Sequence, residues 1–224
     1  MVKLILLIIG TFLLGLFSSQ AKAQSPQAET APCQTMVVGF VGGMRSPDDQ
    51  KQGVVQIGNR LRNPQQPALQ VKIYRHWFWR NAYKSIYQRF DLNRDKKLSP
   101  QELDRAPKLV IYGHSFGGWA VIKLTRKLAK AGIPVELTVQ IDTVGIGDEV
   151  VPANVKFAAN FYQRSLWLLR GEKQIRSKDE SKTTILGNYL IKSVGHEALA
   201  REATISDFIT TRVRSLCPVP VAQK

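Results

Sequence analysis

The sequence predicts an α/β fold, a mainly parallel, twisted sheet with helices on both faces. Two patterns carry that expectation. Short, almost wholly apolar runs are closed off by turn residues, and segments with apolar residues at helical spacing alternate with them. A strand covered by helices on both sides keeps no polar face, so it reads as a continuous apolar run. Strands alternating with helices form βα units, and βα units build parallel sheets.

The first run is Thr35 to Val41 (TMVVGFV), a strand. Val54, Ile57 and Leu61 follow an Asp48-Asp49 start at i, i+3 and i+7, which predicts a helix. Val71 to Tyr74 is a further strand, and the stretch Arg75 to Arg80 reads as a helix packing its aromatics against the sheet. Leu109 to Tyr112 (LVIY) is the next strand. It leads to a helix beginning near Trp119, in which Val121, Leu124 and Leu128 oppose Lys123, Arg126, Lys127 and Lys130. That helix stops at Gly132, with Pro134 beyond it. In Val135 to Ile141 the apolar Val135, Leu137, Val139 and Ile141 alternate with Glu136, Thr138 and Gln140, so one face of this strand is expected to be less deeply covered. Val155 to Phe161 (VKFAANF) is a buried strand, and Ile205, Phe208, Ile209, Val213 and Leu216 form the stripe of a last helix.

The 224 residues are 44% hydrophobic and 22% charged, with 16 Gly, 11 Pro and two Cys. This excludes a disordered chain, a collagen-like repeat and a disulfide-rich miniprotein. The net charge of +15 favours anionic partners such as nucleic acid, phospholipid surfaces or envelope polyanions. Met1-Val2-Lys3, the apolar run Leu4 to Phe17 and Ala21-Lys22-Ala23 have the order of a secretory signal peptide, residues 1–23. The apolar run is shorter than the roughly 20 residues a membrane span needs. Cleavage near Ala23 removes Lys3 and Lys22 and leaves +13 on an exported, periplasmic or secreted chain. Residues 24–34 then form a flexible leader, 35–217 the folded domain and 218–224 a tail. Export makes nucleic acid an unexpected partner, although Arg75-His76-Trp77-Phe78-Trp79-Arg80 interleaves cations with aromatics as single-strand binders do. In an oxidising compartment Cys33 and Cys217 are expected to be bridged, with two buried thiols as the alternative.

Gly113-His114-Ser115-Phe116-Gly117-Gly118 follows the LVIY strand and opens a helix, the setting a G-x-S-x-G nucleophile turn requires. The glycines allow a sharp turn that lifts Ser115 Oγ above the sheet edge, while the helix N-terminus favours developing negative charge. An unreactive tight turn is the alternative. A serine hydroxyl needs a base to take its proton, and the base needs an orienting acid. Of three His, His114 adjoins the serine with its side chain expected to point away, and His76 lies in the aromatic stretch. His196, in Val194-Gly195-His196-Glu197 before the last helix, is the candidate base. Asp142, at the end of the strand after the nucleophile strand, is the favoured acid, and Asp148, six residues on in a glycine-containing loop, is the alternate.

GHSFGG after an apolar strand, then IDTVG and a later GHE before a terminal helix, resembles a small secreted α/β-hydrolase of the esterase, lipase and thioesterase kind, from Thr35 to Leu216. The resemblance implies an acyl-enzyme on Ser115, with His196 shuttling the proton and Asp142 orienting the ring. It implies oxyanion donors at the Phe116 amide and in Gly39-Phe40-Val41-Gly42-Gly43-Met44, where Phe40 or Val41 is the candidate. It implies no cofactor for catalysis and an acyl ester, thioester or lipid as substrate, while the basic charge makes an anionic membrane surface an expected partner. Many relatives place the acid one strand later. No long cap domain fits the length, and Tyr162 to Arg170 is the candidate cover, with Leu166 to Leu169 able to line an acyl site or to join the core. The runner-up function is a non-catalytic module on the same fold that binds an envelope polymer or lipid.

Residues 91–102 place Asp91, Asn93, Asp95, Ser99 and Glu102 at loop positions 1, 3, 5, 9 and 12, with Lys97 at the backbone-carbonyl position. The spacing resembles an EF-hand calcium loop. Lys96 stands where the loop wants glycine and must adopt positive φ, at roughly 1 kcal/mol. A structural calcium ion and a decayed loop held by Asx-type hydrogen bonds are the two expectations.

Overall fold

The computed structural model describes residues 33–62, 68–165 and 170–217. Eight strands and six helices follow in chain order: β1 (Thr35–Val41), α1 (Gly53–Leu61), β2 (Leu69–Arg75), α2 (Trp79–Phe90), α3 (Pro100–Arg105), β3 (Lys108–His114), α4 (Phe116–Lys130), β4 (Val135–Ile141), β5 (Val150–Val151), β6 (Val155–Tyr162), β7 (Arg176–Ser177), β8 (Thr184–Leu190), α5 (His196–Leu199) and α6 (Ala203–Leu216). Six strands form one sheet in the order β2-β1-β3-β4-β6-β8, every neighbouring pair parallel. β5 and β7 pair as a small second sheet.

Alternate residues of the central strands feed two cores. Met36, Val38 and Phe40 of β1 with Leu109 and Ile111 of β3 pack on Ala82, Ile86 and Phe90 of α2 and Val121, Leu124 and Leu128 of α4. On the other face Val37, Val110, Tyr112, Leu137 and Val139 pack on Val54, Ile57 and Leu61 of α1 and Ile205, Ile209 and Val213 of α6. Burying each such side chain stabilises the fold by about 1.5–3 kcal/mol before chain entropy is counted. All seven residues of β1 are buried, which is why it carries no polar alternation. Tyr112 keeps its hydroxyl in this core by donating to the Val54 carbonyl at 2.8 Å.

The chain places β2 on one side of β1 and β3 on the other. The order reverses at β1 and β3, and open α/β sheets bind ligands at the C-terminal strand ends beside such a reversal. Among the described residues no large cap domain interrupts the sheet. Residues 1–23, most of the leader, the tail and Leu166 to Leu169 of the expected cover lie outside the described residues. Among the described residues no helix is long and apolar enough to cross a membrane.

Three local expectations are corrected. The helix after Ser115 opens at Phe116, three residues before Trp119, because the serine itself sits at the N-cap. The polar face of β4 is not open: Thr138 and Gln140 are fully buried, and the Gln140 side-chain amide donates to the Asp148 carbonyl at 3.0 Å, in the loop that follows β4. The aromatic stretch is a short 3-10 turn, His76–Phe78, before α2, and Trp77 and Phe78 remain partly exposed beside the sheet edge instead of packing under it.

Cys33 and Cys217 are bridged, with Cα atoms 5.5 Å apart and 184 residues between them in sequence. The bond ties the entry to β1 to the end of α6. In the chain-entropy model a loop of that length stabilises the fold by about 5 kcal/mol.

Candidate active site

Ser115 joins β3 to α4 with φ 58° and ψ −128°, a conformation that residues with a Cβ rarely adopt. Holding it costs about 1–3 kcal/mol. Its neighbours over-determine it: the Ser115 amide donates to the Ile141 carbonyl at 3.0 Å, and its carbonyl accepts from the amides of Gly118 at 2.9 Å and Val144 at 3.2 Å. The turn is also too tight for a side chain on its far side. A Cβ on Gly117 would lie 2.1 Å from the Phe40 carbonyl oxygen. Phe116 is the first residue of α4, so its amide is among those a helix leaves without an internal partner.

Asp142 ends β4 and is fully buried, with φ 42°. Its Oδ2 accepts from His196 Nδ1 at 2.7 Å and from Gln163 Nε2 at 2.8 Å, and its Oδ1 accepts from the Gly171 amide at 2.8 Å. Burial alone would raise its pKa. The hydrogen bonds from His196, Gln163 and Gly171 together outweigh burial and hold it below the usual carboxylate value. A neutral imidazole that donates Nδ1–H to this carboxylate presents the lone pair of Nε2.

His196 opens α5 and is 2% exposed. His114, the residue before the serine, lies under it: the two ring centroids are 4.6 Å apart, and His114 Nε2 meets the His196 carbonyl at 2.8 Å. Burial, with His196 close by, pushes the His114 pKa down to about 4. His114 is therefore neutral at pH 7 and its Nε2–H donates to that carbonyl. The His114 side chain thus lies against the candidate base. Ser115 is 8% exposed, and among the described residues its hydroxyl has no hydrogen-bond partner. Such contacts are often open in a ligand-free protein.

Asp148 is not brought to His196. It is 1% exposed and, among the described residues, neither carboxylate oxygen accepts a hydrogen bond from another residue. Burial, with Glu172 and Glu149 nearby, pushes its pKa up to about 6. Of the two acids, Asp142 alone contacts the imidazole.

The proposed oxyanion loop lies against the serine. Phe40 and Val41 end β1, and a Cβ on Gly42 would meet Ser115 Cβ at 2.7 Å. Phe116 is 42% exposed and stacks on His76 at 5.3 Å. Sequence reasoning missed Gln163, Gly171 and His114. Gly171 acts through its backbone amide, which no residue type announces, whereas His114 stood within the motif.

In the 91–102 loop Asp91 Oδ2 accepts from the Lys96 amide, Asn93 Oδ1 from the Asp95 amide and Asp95 Oδ1 from the Lys97 amide. Lys96 has φ 64°, as its loop position requires. Glu102 accepts from the amides of Leu92, Asn93 and Ser99 and from the Ser99 hydroxyl, and it completes a capping box at the start of α3. Asp91 Oδ1 is buried without a partner. Among the described residues no group of three or more His, Cys, Asp or Glu is arranged to hold a metal ion.

No protein-family model matches the chain, and no curated protein matches it. Solved structures do. Est1E from Butyrivibrio proteoclasticus is 10% identical, with a TM-score of 0.43 over 85% of this chain and 89% of that one. RedJ, a thioesterase of the prodiginine pathway in Streptomyces coelicolor, is 8% identical, with a TM-score of 0.45 over 92% and 97% of the two chains. Human thioesterase 2 is 8% identical, with a TM-score of 0.42 over 84% and 100%.

Proposed function

We propose that this protein is an exported serine hydrolase that cleaves an acyl ester or thioester through an acyl-enzyme on Ser115. The observation that carries the reading is the buried hydrogen bond between Asp142 and His196 beside a strained serine at a helix N-terminus. A binding module on the same fold would need neither the strained backbone nor the buried carboxylate. Cys33–Cys217 supports an oxidising compartment and hence export.

Ser115 Oγ attacks the acyl carbonyl carbon while His196 Nε2 takes the hydroxyl proton. Asp142 stays ionised, fixes the imidazole through Nδ1 and stabilises the imidazolium. The oxyanion is received by the Phe116 amide together with an amide of the Phe40–Val41 strand end. His196 then gives its proton to the departing alcohol or thiol. Water, deprotonated by the same nitrogen, attacks the acyl-serine and returns the free acid and Ser115.

The 91–102 loop is a structural brace in this reading. If it takes calcium, Asp91 Oδ1, Asn93, Asp95 and the Lys97 carbonyl would hold the ion, with Ser99 and Glu102 at the helix start. The ion would supply shape and no chemistry to the serine.

A fluorophosphonate probe tests the proposal without knowledge of the substrate. An adduct mapped to Ser115 by mass spectrometry, absent in Asp142→Asn, is the expected result. No adduct on the folded, disulfide-bonded protein would transfer the assignment to a binding module.

A further inference from the structure

Eight large apolar side chains are exposed among the described residues. Their distribution is one-sided. Met44 follows β1, Trp77 and Phe78 follow β2, Phe116 follows β3, Ile146 follows β4, and two more end β8, whereas Leu92 alone lies elsewhere. The strands are all parallel, so these ends share one edge of the sheet, and that edge carries Ser115. Met44 is 85% exposed and Ile146 91% exposed, on separate loops. Phe116 stacks on His76, His76 meets Trp77 edge-on at 4.6 Å, and Trp77 meets Phe78 at 6.2 Å, so the aromatics form a continuous ridge.

Two guanidinium groups flank the aromatic ridge, while Asp48 and Asp49 stand on the Met44 loop and Glu149 on the Ile146 loop. The Arg75 guanidinium lies 5.5 Å over the Trp77 ring and that of Arg80 4.4 Å over Trp79. Arg45, beside Met44, pairs with Glu197 at 3.2 Å, so that acid does not offset the others. The whole chain carries +15. Protruding apolar tips from several loops, with guanidinium groups and tryptophan at their base, match the layering of a bilayer surface, where acyl chains lie beneath phosphates. A soluble acyl ligand would require a concave apolar pocket, and these side chains project outward.

We propose that this rim is a docking face for anionic phospholipid bilayers, seating Met44, Ile146 and the Trp77–Phe116 ridge among the lipids so that Ser115 opens onto the membrane. The consequence for substrate rests on the reading of Ser115 as nucleophile and names an ester held at a lipid surface. The docking itself does not depend on that reading.

Co-sedimentation of the disulfide-bonded protein with vesicles tests it, using phosphatidylcholine alone and phosphatidylcholine mixed with phosphatidylglycerol. Strong binding to the mixed vesicles and weak binding to the neutral ones is expected. Met44→Ser/Ile146→Ser is expected to weaken binding about tenfold or more with the thermal midpoint unchanged, and Ile146→Ser alone, away from the oxyanion loop, to weaken it severalfold while also leaving turnover of a water-soluble short-chain ester unchanged. Lys130→Ser, at the far end of α4, is expected to change binding less than twofold. Absence of binding, or equal binding by the double variant and the parent, would overturn the docking face. Binding lost in the double variant by a protein that turns over no ester would keep the docking face and overturn the hydrolase. Ester turnover without vesicle binding would do the reverse.

Discussion

Replacing Asp148 with Asn is expected to stabilise the protein at alkaline pH and to leave it nearly unchanged in acid. In the folded chain this carboxyl is 1% exposed and its pKa is pushed up to about 6, against an ordinary value of 3.8. A carboxyl whose folded pKa lies above its unfolded one binds its proton more tightly when folded. Stability from this group is therefore greatest below about pH 4, falls through the window between the two values, and is lowest above about pH 6. At about 1.4 kcal/mol per pH unit, ionising the buried group costs roughly 3 kcal/mol. Asn keeps the shape and removes the charge, and its NH₂ adds donors close to Gln140, whose Oε1 is buried without a partner. Urea unfolding at about pH 8 is expected to favour the variant by roughly 2–3 kcal/mol, and at about pH 4 the two proteins are expected to agree within about 0.5 kcal/mol. Because Asp148 does not contact His196, ester turnover is expected to stay within about threefold of the parent. Equal differences at both pH values, or a variant less stable at pH 8, would refute the reasoning, since either requires an ionised, well-partnered Asp148.

Asp142→Asn is expected to lower kcat by about three to four orders of magnitude, through loss of the correct imidazole tautomer, and a steady-state assay against Asp148→Asn separates the two acids. Ser115→Ala is expected to abolish turnover with little change in thermal midpoint, whereas Ser115→Gly, freed of the strained φ, should raise stability by about 1 kcal/mol in the same denaturation assay. Gly117→Ala puts a methyl against the Phe40 carbonyl and is expected to cost about 3 kcal/mol, roughly 6 to 12 °C in Tm by scanning calorimetry. Millimolar calcium is expected to raise Tm, and Glu102→Gln to remove the rise; an unchanged Tm would leave the 91–102 loop held by its own hydrogen bonds.

The strands buried on both faces were legible because two-sided burial writes itself as an unbroken apolar run. β1 and β4 have the bounds read from their sequences. β8 was not legible: it lies at the sheet edge, half-covered, and its TILGNYL mixes Gly187 and Asn188 with apolar residues. Asn188 earns its place in three dimensions, accepting from the Ile175 amide at 2.8 Å and so tying the segment around β7 to the sheet. α2 escaped because only Ala82, Ile86 and Phe90 are buried, amid Arg, Lys and Tyr. In the site, Ser115 was legible from its strand–turn–helix context and Asp142 from its place at a strand end. Gln163 and Gly171 were not, since they reach Asp142 from a distant loop through contacts that only folding creates.

Cys33 is the partner of a residue that follows it by 184 positions, so the bond has a meaning in time as well as in space. A chain that crosses a membrane N-terminus first exposes Cys33 to oxidant long before Cys217 emerges. Under the proposed export the pair closes only when α6 has been delivered, and a product that ends before Cys217 cannot form it. The bridge thus marks chains that extend through α6 to Cys217. A shift in electrophoretic mobility on reduction would count finished molecules in a secretion assay, independently of any activity.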